Sequence, residues 1–258
     1  MESMDLKQID SKGLIELAIK AGQAILEVYQ NTELFKEVIL KSDNSPLTLA
    51  DKASHEVIAK GLARLTPNIP ILSEEGRNIA YQERKDWEYY WCVDPLDGTK
   101  EFLKRNGEFT VNIALIHHRK PVLGLIYVPV TGITYFGSEV HAALKMDEND
   151  IETTIMVDKV AIGWTAVGSR SHGSEEEEEI LARYPIQKTV SIGSSLKFCL
   201  IAEGSAHIYL RLGPTCEWDT AAGHAILNSA GGRLTNLDGT AFLYNKESLL
   251  NGSFICRI

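Results

Sequence analysis

Apolar residues at Leu14, Ile15, Leu17, Ala18, Ala21, Ala24, Ile25 and Val28 recur with a period near 3.6 and predict an opening amphipathic helix. A polar stretch, Lys41–Pro46, separates it from a second helix running from about Thr48 to Leu65. Ala53, Val57, Ile58, Leu62 and Leu65 face inward there, and Pro67 and Pro70 mark its end. The period then changes. Ile69–Ser73 and Tyr90–Val93 predict short buried strands, each stopping at a carboxylate cluster. Phe109–His117, Pro121–Pro129, Gly132–Gly137 and Val140–Lys145 predict successive strands joined by tight turns, hence an antiparallel sheet.

An acidic polar loop at Asp147–Asp150 suggests a boundary, and beyond it strands and helices alternate. Val160–Val167, Thr189–Ile192, Ala206–Arg211 and Gly232–Thr235 are the expected strands; Ser174–Tyr184, Ser194–Glu203 and Trp218–Ala230 are the expected helices. The run Glu175–Glu179 reads as a solvated helix start capped by Ser174. The expected organisation is an α+β half over residues 1–150 joined to an α/β half over 151–258. No internal repeat or low-complexity linker interrupts it.

The chain has 258 residues, of which 44% are hydrophobic and 24% charged, which excludes a disordered or fibrous protein. A net charge of -9 argues against tracking a nucleic-acid backbone by bulk charge. Cys92, Cys199, Cys216 and Cys256 form no C-x-x-C pair, so buried free thiols in a reducing cytosol are expected. No window holds the ~18 consecutive apolar residues of a membrane span. A soluble, cytoplasmic protein is expected.

Candidate chemistry lies where predicted elements end. Leu72-Ser73-Glu74-Glu75 and Val93-Asp94-Pro95-Leu96-Asp97-Gly98-Thr99 each follow a strand. Glu217-Trp218-Asp219-Thr220-Ala221-Ala222-Gly223 enters a helix, and Thr48-Leu49-Ala50-Asp51 opens one. Singly, each has a plain structural explanation: Asp-Pro-x-Asp-Gly suits a turn, Asp219 suits an N-cap, and Thr48 with Asp51 suits a capping arrangement. Together, converging carboxylates repel one another unless cations neutralise them. Oxygen ligands without His or Cys suit Mg²⁺ rather than Zn²⁺. Gly98 and Thr99 add backbone N–H groups that can face a phosphate. The pattern is that of a metal-dependent phosphate site. His55, His117, His118, His141, His207 and His224 show no ligand spacing that pairs with Cys or acid, and they read as structural.

The Asp94–Thr99 and Glu217–Gly223 motifs together resemble the paired signature of the lithium-sensitive, Mg²⁺-dependent inositol monophosphatase superfamily. Lys100-Glu101-Phe102 and Arg105-Asn106-Gly107-Glu108-Phe109-Thr110-Val111-Asn112 narrow the resemblance to bacterial CysQ-type 3'(2'),5'-bisphosphate nucleotidases. Ser169-Arg170-Ser171-His172 and Ser191-Ile192-Gly193-Ser194-Ser195-Leu196-Lys197-Phe198-Cys199 agree with that branch. The similarity spans essentially the whole chain. It is weakest at Gly76–Trp87, Asp147–Asp158 and the tail after Leu237, which read as loops and edges.

The resemblance implies an α/β fold, a layered αβαβα sandwich of the inositol monophosphatase/fructose-1,6-bisphosphatase type, with metals in the cleft between its halves. It implies that Glu74, Asp94 and the Leu96 carbonyl hold one Mg²⁺, and that Asp94, Asp97 and Asp219 hold a second. Glu75 either stands behind these ligands or serves a weaker third ion. Thr99 and Asp51 would orient and deprotonate the attacking water. Glu74, Leu96, Asp97, Gly98, Thr99 and Asp219 would also line the bound phosphate. Lys197, Arg211 and Ser194 would contact the second phosphate and the nucleoside, with His172 near the adenine.

The implied reaction removes the 3'-phosphate of adenosine 3',5'-bisphosphate (PAP), giving AMP in sulfur assimilation, with 3'-phosphoadenylyl sulfate as a further substrate. The alternatives are inositol monophosphate or a sugar bisphosphate in the same superfamily, and, from another class, an inactive metal- or partner-binding relative. Lys100, Lys197 and Arg211 speak against the small monophosphate. The resemblance allows peripheral association with the inner membrane, but no basic amphipathic helix argues for it. No sequence feature fixes an oligomeric state.

Overall fold

In the computed structural model, which describes residues 5–35, 37–40, 46–168 and 175–258, the first long helix is α1 (Ser11–Gln30), capped by the Asp10 carboxylate accepting from Gly13 N at 2.9 Å. A one-turn α2 (Thr32–Phe35) follows, then a two-stranded hairpin of β1 (Val38–Leu40) and β2 (Pro46–Thr48), then α3 (Leu49–Leu65). Seven strands build the first sheet: β3 (Ile71–Ser73), β4 (Tyr89–Asp97), β5 (Thr110–His117), β6 (Lys120–Val128), β7 (Ile133–Ser138), β8 (Leu144–Met146) and β9 (Glu152–Thr154). They lie in sequence order, with β3 and β4 parallel and every other pair antiparallel. Two short helices are interposed, α4 (Tyr81–Arg84) before β4 and α5 (Thr99–Leu103) after it.

The remaining elements are β10 (Trp164–Gly168), α6 (Glu175–Leu181), β11 (Ile186–Ser191), α7 (Leu196–Ala202), β12 (Ile208–Arg211), α8 (Glu217–Ser229), β13 (Arg233–Asn236) and β14 (Phe254–Arg257). They form a five-stranded sheet of order β11-β10-β12-β14-β13. Helices α1 and α3 cover one face of the first sheet, while α7 and α8 lie between the two sheets and α6 touches the outer face of the second. The expected αβαβα layering is therefore present.

The two-residue period of the strands separates two cores. Trp91 and Val93 of β4, and Val111, Ile113 and Leu115 of β5, join the cluster beneath α1 and α3. Tyr90, Cys92, Ala114 and Ile116 face the opposite way, into the cluster shared with α7, α8 and the second sheet. Helix α8 lies close enough to β6 that a Cβ at Gly124 would run into the Ala222 carbonyl. Glycine at that position sets how near α8 sits to the strand, and so where its first turn stands.

Some expected boundaries move. The tail beyond Leu237 supplies β14, which pairs with both β12 and β13 inside the second sheet. Its four residues alternate, Phe254 and Cys256 toward one core and Ile255 toward another, a stretch too short for a period to stand out. Val160 and Ile162 are 88% and 92% exposed, and strand β10 starts only at Trp164. Asp147–Asp150 forms the turn between β8 and β9, with the Asp147 carboxylate accepting from Asn149 N and Ile151 N at 2.9 Å, so the first sheet extends to Thr154. The proposed Ser174 cap and the whole Ser169–His172 motif, with His172, lie outside the described residues.

Candidate active site

Strand β4 carries the centre of the site. Its register with β5 breaks between Asp94 and Asp97, where Pro95 has no N–H to contribute to the ladder. The break is held by three contacts: Leu96 N donates to Asp94 Oδ1 at 3.0 Å, Ser54 Oγ donates to the Pro95 carbonyl at 2.7 Å, and the Leu96 side chain is buried beneath α3. The chain then turns through Gly98, whose φ of 93° lies in the left-handed region, and starts α5 at Thr99. A Cβ at Gly98 would also crowd the Glu108 carbonyl and Ser194.

Glu74 follows β3, tied to β4 by its N–H on the Val93 carbonyl at 3.1 Å. Asp219 lies in the first turn of α8, not at its N-cap, and its Oδ2 accepts from Cys216 N at 2.7 Å. These elements bring carboxylate oxygens of Glu74, Asp94 and Asp219 within 4.8 Å of one another. Burial first, then the charges of Glu74, Asp97, Asp219 and Asp51, pushes the Asp94 carboxyl well above the usual carboxylate range. Burial and then Asp97 do the same to Asp219. Such a group is costly to ionise on its own, and a hard cation fits the all-oxygen donor set that would neutralise it.

Asp97 stands beside this trio. Its Oδ2 accepts from Ser195 Oγ at 2.6 Å and Asn112 Nδ2 at 3.2 Å. Both donors belong to the site without having been singled out from the sequence. Asn112 had a readable signal, a polar residue within the apolar run Val111–Ile116. Ser195 had none to separate it from Ser194 next door. Glu75 lies outside the trio and acts electrostatically on His55, whose Nδ1 is 2.9 Å from Ser73 Oγ.

Asp51 serves two partners. Oδ2 accepts from Thr48 N at 2.7 Å and Thr48 Oγ1 at 2.6 Å, closing a capping box on α3. Oδ1 lies 3.3 Å from Thr99 Oγ1, which is also 3.4 Å from the Leu96 carbonyl. The cap suggested by the Thr48–Asp51 spacing and the pairing with Thr99 both exist, made by opposite oxygens of one carboxylate.

The site opens onto a cavity of about 430 Å³ lined by Glu74, Asp94, Asp97, Thr99 and Asp219 together with Lys197 and Arg211. Lys197 is only 7% exposed; its ammonium donates to the Ser194 carbonyl at 2.6 Å and the Ile192 carbonyl at 3.3 Å. Burial lowers its pKa to about 8 against the opposing pull of Asp97. Ser194 has φ 47°, a strained value for a residue with a Cβ, and the Lys197 bonds brace that turn. Arg211 donates to the Gly213 and Pro214 carbonyls at 3.2 and 3.3 Å, using two of its five N–H groups.

Comparison with known proteins bears on this geometry. The model of the inositol monophosphatase family matches residues 6–255. The 3'(2'),5'-bisphosphate nucleotidase CysQ of Escherichia coli (strain K12) is 50% identical over 240 residues, 93% of this chain and 96% of that one. The nucleotidase of the same name from Buchnera aphidicola subsp. Acyrthosiphon pisum is 43% identical, covering 93% and 91%. The crystal structure of CysQ from Bacteroides thetaiotaomicron superposes with a TM-score of 0.85 at 40% identity, covering 97% of this chain and 98% of that one.

Proposed function

The chain belongs to the inositol monophosphatase family, and from that premise we propose that it is a metal-dependent 3'(2'),5'-bisphosphate nucleotidase releasing phosphate from PAP to leave AMP. One observation carries the reading: the Glu74–Asp94–Asp219 trio and Thr99, whose hydroxyl meets the buried Asp51 carboxylate, line one cavity together with Lys197 and Arg211. 3'-Phosphoadenylyl sulfate, with the same 3'-phosphate, is a second substrate of this reading. A cytoplasmic setting agrees with four cysteines that form no disulfide. Among the described residues no helix is long and apolar enough to cross a membrane.

Glu74, Asp94, Asp97 and Asp219, with the Leu96 carbonyl, would hold two Mg²⁺ ions, and Glu75 is near enough in sequence to serve a third. When bound, the ions supply Lewis-acid polarisation of the phosphate and of the attacking water. The chain's own residues do the rest. Thr99 donates its hydroxyl proton toward Asp51 Oδ1, which leaves an oxygen lone pair to receive a proton from water in the cavity. Asp51 cannot swing away, because Thr48 holds its other oxygen twice. Ser195 and Asn112 fix the Asp97 carboxylate. Arg211, with donors to spare, meets the phosphate that is not hydrolysed. Lys197 acts through the turn it braces at Ser194 and adds positive charge beneath the cavity floor.

The test is phosphate release from PAP with inositol 1-phosphate and fructose 1,6-bisphosphate in parallel, with and without Mg²⁺ and then with Li⁺. The expected result is Mg²⁺-dependent turnover favouring PAP and suppressed by Li⁺. Preference for inositol 1-phosphate would overturn the role given to Arg211 while keeping the metal site, and preference for the sugar bisphosphate would keep both and overturn the nucleotide as substrate. Turnover of none would leave an inactive, metal-binding relative.

A further inference from the structure

At the end of β4 and β5 remote from the cavity, three potential ligands converge. Tyr89 of β4 pairs with His117 of β5, whereas Asp94 pairs with Asn112. Five residues of strand at about 3.3 Å each, roughly 17 Å, therefore separate this corner from the acidic trio. Glu88 precedes β4, and His117 and His118 stand where β5 turns back into β6. The turn is fixed by left-handed φ values at His118 and Arg119, by His118 N donating to the Glu88 carbonyl at 3.0 Å, and by Arg119 Nε donating to the Tyr244 carbonyl at 3.0 Å.

Glu88 Oε1 lies 3.7 Å from His117 Nε2 and 3.9 Å from His118 Nε2. These separations are too long for hydrogen bonds. They are close to the edges of a coordination sphere, since bonds of about 2.0–2.1 Å at tetrahedral angles put ligand atoms roughly 3.3 Å apart. His117 Nε2 is buried and has no hydrogen-bond partner. Its ring is held by stacking on Tyr89, centroids 4.1 Å apart and planes within 5°. The His118 ring lies 4.2 Å away. Burial, and then the neighbouring His118, depress the pKa of His117, which favours the neutral form that ligates.

We propose that Glu88, His117 and His118 form a second metal site, separate from the catalytic one, that takes a single zinc-class divalent ion through two imidazoles and a carboxylate. The donor set selects against Mg²⁺, which prefers oxygen throughout, and suits zinc, nickel, copper or cobalt. His118 is 69% exposed on its side chain, so the site loads from solvent and keeps its remaining positions for water or another ligand. An ion there straps the start of β4 to the β5–β6 turn, in the same sheet that carries Asp94.

The test uses the full chain in excess Mg²⁺, titrated with Co²⁺ and read by visible absorption, which a His-ligated, low-coordinate Co²⁺ ion displays. The expected result is one saturable site whose absorption survives in Asp94→Asn. The His118→Ala and Glu88→Gln variants should weaken that site at least tenfold, with Mg²⁺-supported turnover before cobalt addition unchanged. Zn²⁺ should displace the cobalt signal. If the wild-type and His118→Ala titrations superimpose, or if the cobalt signal disappears in Asp94→Asn but persists in His118→Ala, the site does not exist and the ion occupies the catalytic carboxylates.

Discussion

Asp51 Oδ1 lies 3.3 Å from Thr99 Oγ1, joining the first turn of α3 to the first turn of α5 across 48 positions of sequence. Because Oδ2 of the same carboxylate closes the α3 capping box, stability and chemistry draw on one side chain and can be separated by choosing which end to cut. Asp51→Asn should lower kcat by about 10²-fold or more, the usual scale for losing a positioned proton acceptor, with KM nearly unchanged. Thr48→Ala should cost about 1 kcal/mol of stability with a much smaller loss of kcat. Steady-state kinetics and urea unfolding of both variants check this. Equal kinetic losses would mean that Asp51 acts only as a cap.

Asp94 and Asp219 have their carboxyl pKa values raised by burial first and then by neighbouring carboxylates, Glu74 foremost for Asp94 and Asp97 for Asp219. An acid with a raised folded pKa binds more protons folded than unfolded, so stability falls as pH rises. Protein stripped of metal by chelation should therefore become less stable as pH climbs from the ordinary carboxylate range near 4 through the raised values. Mg²⁺ should flatten the slope. Asp94→Asn should raise the melting temperature of the stripped protein at neutral pH while abolishing turnover. Melting curves across pH, with and without Mg²⁺, decide it; a stripped protein whose stability rises with pH would contradict the assignment.

The acidic motifs were legible because their spacing and position at element ends carry meaning without the fold. The two halves, α+β and then α/β, followed from the switch between periods of 3.6 and two, whereas the αβαβα layering rested on the resemblance to the family. What could not be read was which side chain of a pair turns inward: Ser195, not Ser194, reaches Asp97, and only the fold that brings the residue before α7 beside Asp97 decides that. The histidines show the same limit. His117 and His118 have no acidic partner nearby in sequence, and strand pairing brings Glu88 to them from 29 and 30 positions away. Lys197 looked like a phosphate ligand by charge alone, whereas its burial commits the ammonium to two carbonyls.

Arg211 and Lys197 should consequently behave differently. Arg211→Ala is expected to raise KM for PAP by tenfold or more while leaving KM for inositol 1-phosphate nearly unchanged, since only the bisphosphate has a second phosphate to lose. Lys197→Met should lower kcat on both substrates, because it frees the Ser194 turn. Its sign with pH also differs. A lysine lowered to about 8 releases its proton more readily folded than unfolded, so the wild type gains stability relative to Lys197→Met between pH 8 and the ordinary lysine value near 10.5. Paired kinetics on the two substrates and unfolding at pH 7 and 10 test both halves.

Gly124 connects the packing of the core to the acidic trio. A Cβ there would meet the Ala222 carbonyl and come within 2.9 Å of Ala225 Cβ, and Ala222 is one turn beyond Asp219 on α8. Since α8 is wedged between two sheets, it can yield only by sliding, which shifts Asp219 against Asp94 on β4. Gly124→Ala should therefore cost about 1–3 kcal/mol of stability, the range for overpacking a core. It should also raise the Mg²⁺ concentration for half-maximal activity several-fold, with kcat largely recovered at saturating Mg²⁺. Gly252→Ala, where an added Cβ meets nothing within 4 Å, should do neither. Urea unfolding and Mg²⁺ titration of activity measure the two effects on the same preparations. Loss of stability with an unchanged Mg²⁺ requirement would show that the sheet absorbs the methyl group and that the spacing of α8 does not set the metal geometry.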